Sequence, residues 1–91
     1  ILSALKKPAI LAGDLNAIPG SRPIEILLKK WTMTAGTPAL PTYPSASPDR
    51  KLDYIMIHPA SRWKVIDKRV IEEKVASDHR PYLVTLQLVP N

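Results

Sequence analysis

The feature that most limits the folds open to this sequence is a dense set of prolines in its middle. Four of them fall between positions 32 and 50, namely Pro38, Pro41, Pro44 and Pro48. Because proline lacks the amide proton that helices and central strands require, this density excludes a long helix or a central strand there. We therefore predict a structured loop with one short edge strand near Thr42–Tyr43. A flexible interdomain linker is the alternative, and the buried-type residues on both sides argue against it.

Apolar and β-rich runs on either side of this loop predict four strands. They cover residues 8–12, 52–58, 63–71 and 82–89. We expect the first to be a buried strand, because a short apolar run that ends at a glycine usually is one. The third mixes branched apolar residues with charges, as an exposed or edge strand does. We expect the fourth to be buried on most of both faces.

A single helix is predicted over about residues 22–31. Four side chains recur at helical spacing and form one apolar stripe: Ile24, Leu27, Leu28 and Trp31. Ser21 suits the N-cap position, and Pro23 suits the first turn. Together with the strands, this helix predicts an α/β (α+β) chain with mainly antiparallel strands and one principal helix.

Composition limits the size of the molecule and its partners. The 91 residues suffice for one small domain. The sequence has no cysteine, which fits a cytoplasmic or an exported soluble protein and leaves the compartment open. No run reaches the roughly 18 apolar residues that a membrane span requires. The net charge of +5 suits an anionic partner, but separate pairs such as Lys6–Lys7 and Lys29–Lys30 also fit ordinary solvated lysines.

Two acidic segments near predicted strands carry candidate chemistry. In Gly13-Asp14-Leu15-Asn16, an extended chain would point Asp14 and Asn16 to the same side. That pair suits an oxygen-preferring cation beside a phosphate, although Asp and Asn also favour plain turns. In Leu52-Asp53-Tyr54, a charge enters an apolar strand and is costly without a partner such as an imidazole N–H. The alternative for Asp53 is a carboxylate at the solvent end of its strand.

The third acidic segment, Ser77-Asp78-His79, precedes the last predicted strand. Its carboxylate could hold a metal ion, and its imidazole could move a proton near neutral pH. The alternative is a loop with a surface histidine.

Taken in this order, the three acidic segments resemble the endonuclease/exonuclease/phosphatase family, which has the DNase I-like fold. The stretches Ala17-Ile18-Pro19-Gly20-Ser21 and Thr42-Tyr43-Pro44 also look like that family. The resemblance covers nearly all of the sequence. It implies that residues 1–91, which begin without a methionine, are a C-terminal fragment of one domain. That domain would be a four-layer α/β/β/α sandwich with two packed sheets.

The resemblance implies a phosphoester hydrolase, more specifically a phosphodiesterase or nuclease, with Mg²⁺ or Mn²⁺ as its cofactor. Its substrate would be a nucleic acid, a nucleotide, an inositol phosphate or a phospholipid headgroup. By matching motifs, Asp14 would act as the base or orient the attacking water and would be a ligand of a second metal ion, while Asn16 would hydrogen-bond the phosphate. Asp78 would ligate the metal, and His79 would contact the phosphate and stabilise developing charge. Asp53 would orient the imidazole of His79.

One departure from the family pattern limits the activity expected of this chain. The family's N-terminal half supplies the glutamate that is the principal metal ligand, and no acid here has a similar setting. We therefore expect the chain alone to have little or no activity, since carboxylate number governs affinity for hard cations. We also expect self-association through a sheet face that the missing half would cover.

Two rival hypotheses remain open at this point. The first is a small basic, non-catalytic module that binds nucleic acid or another polyanion, and the second is a purely structural interaction domain. The binding module predicts a continuous basic face away from the acidic segments. The enzyme instead requires Asp14, Asn16, Asp78 and His79 to converge at one sheet edge, with Asp53 within hydrogen-bonding distance of His79.

Overall fold

Two antiparallel sheets and one short helix make up the described part of this computed structural model, residues 7–35 and 40–90. In chain order the elements are β1 (Ala9–Asp14), α1 (Arg22–Leu27), β2 (Thr32–Met33), β3 (Asp53–His58), a 3-10 turn (Ala60–Arg62), β4 (Trp63–Val70) and β5 (Tyr82–Leu88). This arrangement confirms the predicted α/β chain with mainly antiparallel strands and one principal helix. None of the helices in these two ranges is long and apolar enough to cross a membrane.

The central strand of the larger sheet is β3, which lies between β1 and β2. Its run of aromatic, branched and other large apolar residues favours a strand with a neighbour on each side. Antiparallel pairing with β1 runs from Ala9 opposite His58 to Asp14 opposite Asp53. This register places the aspartates of the first two acidic segments side by side at one end of the sheet.

The second sheet consists of β4 and β5, paired antiparallel with Val70 opposite Tyr82. Tyr82 connects this pair to the larger sheet, because its hydroxyl lies 2.8 Å from Thr34 Oγ1. Thr34 Oγ1 in turn donates a hydrogen bond to the carbonyl of Ile55 in β3. These contacts hold the start of β5, and hence the segment just before it, against the central strand.

The core lies between α1 and the larger sheet. Four buried side chains form one cluster: Ile24, Trp31, Tyr54 and Met56. Ile24 and Trp31 belong to the predicted apolar stripe, and Leu27 packs against the cluster. Leu28 was wrongly assigned to the stripe, since 39% of its surface is exposed.

Helix α1 is shorter than the predicted range of 22–31. It ends at Leu27, and the amides of Lys29 and Lys30 then donate to carbonyls only three residues back. Such bonds mark a tighter final turn, which is common where a helix ends. The amide of Trp31 still reaches the Leu27 carbonyl at 2.8 Å, so the turn delivers the indole to the core.

The predicted burial of two strands was wrong. In β1, Ile10 is 49% exposed, and in β5 both Leu83 and Leu88 are exposed. In the described ranges, β1 pairs only with β3 and β5 pairs only with β4. A strand at the edge of a sheet with one packed face alternates between covered and exposed positions, which explains the pattern.

The proline-rich region contains more pairing than was predicted. Strand β2, at Thr32–Met33, pairs with β3 and was not anticipated. The predicted edge strand near Thr42–Tyr43 is a single bridge between Tyr43 and Arg50. Pro38 lies outside the described residues, as does Lys6 of the first basic pair.

Candidate active site

The proline-rich loop holds the third acidic segment against the other two. The amide of Ser45 donates to the carbonyl of Asp78 at 2.7 Å, and the amide of Arg80 donates to the carbonyl of Thr42 at 2.7 Å. The Arg80 Nε also donates to the Ser45 carbonyl at 2.7 Å. These three bonds clamp the residues on both sides of His79, which directs its side chain toward the ends of β1 and β3.

Asp53 and His79 form the shortest side-chain contact of the site. Their Oδ2 and Nδ1 atoms lie 2.6 Å apart, and both side chains are mostly buried. Because a carboxylate only accepts hydrogen bonds, the imidazole carries its proton on Nδ1 and donates it. This is the contact that the enzyme hypothesis required.

Asp14 faces the other side of the same imidazole. Its Oδ2 lies 3.7 Å from His79 Nε2, while its Oδ1 accepts the amide of Asn16 at 2.8 Å. A separation of 3.7 Å exceeds a hydrogen bond, so Asp14 attracts the ring without occupying the Nε2 position. His79 therefore lies between two carboxylates. Its Nδ1 is hydrogen-bonded to Asp53, and its Nε2 makes no hydrogen bond to Asp14.

The acidic surroundings shift the charge state of the imidazole. The pKa of His79 is raised above its ordinary value, first by the hydrogen bond to Asp53. Burial opposes this shift, and the charges of Asp53, Asp14 and Asp78 reinforce it. The cationic form of His79 is thus favoured to a higher pH than in an isolated side chain.

Asn16 does not follow the predicted geometry. Strand β1 ends at Asp14, and Asn16 adopts the left-handed conformation with φ of 49°. The premise that an extended chain points the two side chains together was therefore wrong. The hydrogen bond from the Asn16 amide to Asp14 is the turn that the residue types also allowed.

Asp78 lies beside the imidazole but outside the tightest group of donors. It is exposed, and its charge contributes to the raised pKa of His79. A possible metal-binding group comprises Asp14, Asp53 and His79, whose ligand atoms lie within 4.8 Å of one another. Asp78 is not a member of this group, although its carboxylate, like that of Asp14, is exposed to solvent.

Tyr43 and Arg50 extend the site in a way that the sequence did not reveal. The Tyr43 ring lies 5.0 Å from the His79 ring, centroid to centroid. The Arg50 guanidinium covers the ring of Tyr43 at 4.9 Å. The only signal was the Thr42-Tyr43-Pro44 stretch, which carried no information about contact with a histidine.

A hollow of about 360 Å³ opens beside the imidazole. Its walls include Gly13, Asp53, Ser77, His79 and Tyr82. Backbone from β1, β3 and the start of β5 thus surrounds the space next to the Asp53–His79 pair. The Asp53–His79 pair therefore borders an open hollow instead of a closed core.

Replacing Asp53 with asparagine should lower the pKa of His79 toward its ordinary value of 6.5. The change removes the carboxylate whose hydrogen bond and charge both favour the imidazolium. In the metal-free wild type, the raised pKa of His79 stabilises the folded state. This stabilisation is fully present below the pKa of His79 in the unfolded state, and it is lost as the pH rises through the pKa in the folded state. The variant should therefore lose that dependence of unfolding free energy on pH.

This prediction is checked by NMR titration of the His79 ring protons and by urea unfolding across the same pH range. Asp67→Asn is a matched control, because Asp67 is an exposed aspartate paired with Arg69. An unchanged His79 pKa in Asp53→Asn would contradict the assigned hydrogen bond.

A match to a known protein family spans all three acidic segments. The family model described as Endonuclease/Exonuclease/phosphatase family matches residues 1–79. That range includes β1, β3 and the segment that ends at His79. No curated protein and no solved structure gives a significant match.

Proposed function

Because this chain belongs to the endonuclease/exonuclease/phosphatase family, we propose that it carries part of the active site of a metal-dependent phosphoester hydrolase. The observation that carries the proposal is the placement of His79 between Asp53 and Asp14. Three segments far apart in sequence supply these side chains, and the fold brings them together at one end of the larger sheet. A solvated surface histidine would have no reason to be held on both sides.

His79 is proposed to stabilise charge on the phosphate. Asp53 accepts the hydrogen bond from Nδ1 at 2.6 Å, which fixes the ring orientation and leaves Nε2 facing Asp14 without a hydrogen bond. The raised pKa of His79 extends to higher pH the range over which Nε2 carries a proton. That proton can be donated to a phosphoryl oxygen as negative charge develops, which is where a positioned donor contributes most.

Asp14 and Asp78 are proposed to serve the attacking water and a divalent cation. Asp14 keeps one oxygen on the Asn16 amide, so its other oxygen is free to orient a water molecule. Asp14 and Asp78 would together hold Mg²⁺ or Mn²⁺, and such a cation neutralises charge on the phosphoryl group. Asn16 is proposed to hydrogen-bond the phosphate through its side-chain amide.

The carboxylates of this chain do not include a counterpart of the family's principal metal-binding glutamate. We propose that the principal metal-binding glutamate lies in a preceding half of the same domain, so that residues 1–91 alone have little activity. Exposed apolar residues on β1 and β5, including Ile10, Leu83 and Leu88, support a further proposal that the isolated chain self-associates. Size-exclusion chromatography that gives a clean monomer would contradict self-association.

The hydrolase proposal is tested with a protein that carries the whole domain. Hydrolysis of bis(p-nitrophenyl) phosphate is measured with Mg²⁺ and with Mn²⁺, and EDTA should abolish it. Residues 1–91 alone should show a far lower rate under the same conditions. A panel of oligonucleotides, inositol phosphates and phospholipid headgroups then identifies the substrate class. Activity that survives EDTA would exclude the metal-dependent reaction.

The surface does not favour a polyanion-binding module. Several exposed basic side chains lie beside acids, in the ion pairs Arg50–Asp49, Arg69–Asp67 and Lys74–Glu72. Such pairing lowers the local positive potential that a nucleic-acid surface needs.

Two substitutions of Asn16 separate its backbone role from its side-chain role. Its φ of 49° suits glycine and is strained for alanine. If the side-chain amide binds phosphate, both Asn16→Gly and Asn16→Ala should lower kcat/KM by about 10-fold or more, the loss expected for an unmade hydrogen bond to a charged group. Only Asn16→Ala should also reduce thermal stability. Full activity in Asn16→Gly would show that Asn16 only shapes the turn.

A further inference from the structure

Lys51 is a buried cation directly behind the candidate site. Only 3% of its surface is exposed. Its Nζ donates to the backbone carbonyl of Asp53 at 2.8 Å. The same nitrogen lies 4.0 Å from the ring centroid of Tyr82 and 4.9 Å from that of Tyr54. The ammonium group is therefore enclosed by one carbonyl and two aromatic faces.

Each of these partners belongs to a segment that carries a residue of the site. Asp53 itself accepts the proton of His79. Tyr82 begins β5, three positions after His79. The Tyr54 hydroxyl donates to the carbonyl of Ala17 at 2.6 Å, next to Asn16. The Lys51 side chain thus contacts the Asp53 and Tyr82 segments directly, and it reaches the segment of Asn16 through Tyr54.

The environment of Lys51 is unusual for a lysine. A buried ammonium is costly unless it is compensated, and lysine is rarely fully buried without a partner. Across the described ranges, no carboxylate lies within ion-pairing distance of Nζ, so the carbonyl and the two ring faces supply the compensation. Burial lowers the pKa of Lys51 to about 8, against the opposing charge of Asp53. A methionine of similar length would avoid this cost.

We propose that Lys51 is a positioning residue that orients the Asp53–His79 pair through its charge. This inference rests on the proposed function of that pair. The hydrogen bond to the Asp53 carbonyl fixes the backbone from which the carboxylate projects. The contact with Tyr82 fixes the start of β5 relative to Asp53. It therefore sets the distance between the backbone of His79 and the carboxylate of Asp53. An uncharged side chain could fill the same space but would hold neither partner.

The absence of cysteine from the sequence allows a direct test of the charge. A Lys51→Cys chain is alkylated while unfolded, either with 2-bromoethylamine or with 1-bromopropane, and is then refolded. The two products have side chains of the same length and nearly the same volume, and only the first carries an ammonium group. The readout is the low-field proton resonance of the imidazole Nδ1–H, which reports the short bond from His79 to Asp53.

The aminoethylated chain should show the wild-type resonance, and the propylated chain should lose it or shift it upfield while keeping its far-ultraviolet circular dichroism. Ile57→Val is a control for simple loss of stability, since Ile57 is buried in β3 but is not a partner of Lys51. That variant should keep the resonance. The same resonance in both alkylated chains, or its loss from a refolded aminoethylated chain, would overturn the proposal.

If the propylated chain does not refold, a second pair of variants tests whether the contact of Lys51 with Tyr82 orients the Asp53–His79 pair. Tyr82→Phe keeps the aromatic face at Nζ and should keep the resonance, whereas Tyr82→Leu removes the face and should weaken it. Equal spectra from these two variants would overturn the proposal. A wild-type chain without the low-field resonance would instead contradict the Asp53–His79 pair, and with it the proposed function. Neither outcome depends on turnover, so a low activity of the chain does not affect the result.

Discussion

Replacing His79 with glutamine should lower the kcat of a protein carrying the whole domain by about 10²–10³-fold, the loss typical of removing one positioned charge-stabilising donor. Glutamine is polar and of comparable reach, but it cannot become a cation between Asp53 and Asp14. It also cannot donate the orienting bond from one nitrogen and a second bond from another nitrogen of the same rigid ring. The loss should appear mainly in kcat, because the developing charge on the phosphate exists only in the transition state.

The other histidine supplies the matched control for this experiment. His58 lies at the opposite end of β3, where it pairs with Ala9. Its Nδ1 contacts the carbonyl of Lys30 at 2.9 Å, and its ring lies 5.9 Å from that of Trp31. His58→Gln should therefore leave kcat unchanged. Equal activity of the two variants would exclude His79 from the reaction and would leave its two carboxylate contacts as structural.

The second large effect concerns stability. Trp31→Ala should lower the free energy of unfolding by about 3–5 kcal/mol, the usual cost of removing a large buried aromatic side chain. Trp31 is 5% exposed and belongs to the cluster with Ile24, Tyr54 and Met56. For a chain of this length the total stability is about 5–14 kcal/mol, so the variant should lose about a fifth of it or more. Urea unfolding followed by circular dichroism measures the difference.

A residue in α1, the helix that precedes Trp31, separates packing from helix propensity. Ile26 lies in α1 but is 53% exposed, so Ile26→Ala should change the free energy of unfolding by no more than about 0.5 kcal/mol. Similar losses for Ile26→Ala and Trp31→Ala would mean that the helix does not pack on the sheet as described. Unchanged m-values in both variants would show that the unfolded state is the same.

Much of the fold follows from local patterns in the sequence. The strands around Asp53–His58 and Trp63–Val70 have bounds within one residue of those predicted. The pattern identified Trp31 as buried because helical spacing is a local property that neighbouring residues share. It misplaced Leu28, since the width of the buried stripe depends on which parts of the sheet lie opposite. Similarly, the apolar residues of β5 predicted burial on both faces, but only one face is packed.

In the candidate site, too, some features follow from local sequence and others depend on tertiary contacts. Sequence alone identified Asp14, Asp53 and His79 as candidates, because charged residues beside apolar strands require partners. It misjudged the backbone conformation of Asn16, which is left-handed because β1 ends at Asp14. It also gave no sign of the contacts that Tyr43 and Lys51 make with the site. The ring contacts of Tyr43 with His79 and of Lys51 with Tyr82 join residues 36 and 31 positions apart, and no local pattern encodes them.

By itself, the sequence determined the residue types, the order of the acidic segments, the main elements and the family. Only the tertiary structure decided that Asp14 stands opposite Asp53, that His79 binds Asp53 at 2.6 Å, and that the buried Lys51 donates to the Asp53 carbonyl. The physical reason is that strand register and side-chain enclosure depend on distant segments that meet during folding. Secondary structure and candidate chemistry can be inferred along the chain, whereas the pairing of charges depends on how the sheets are assembled.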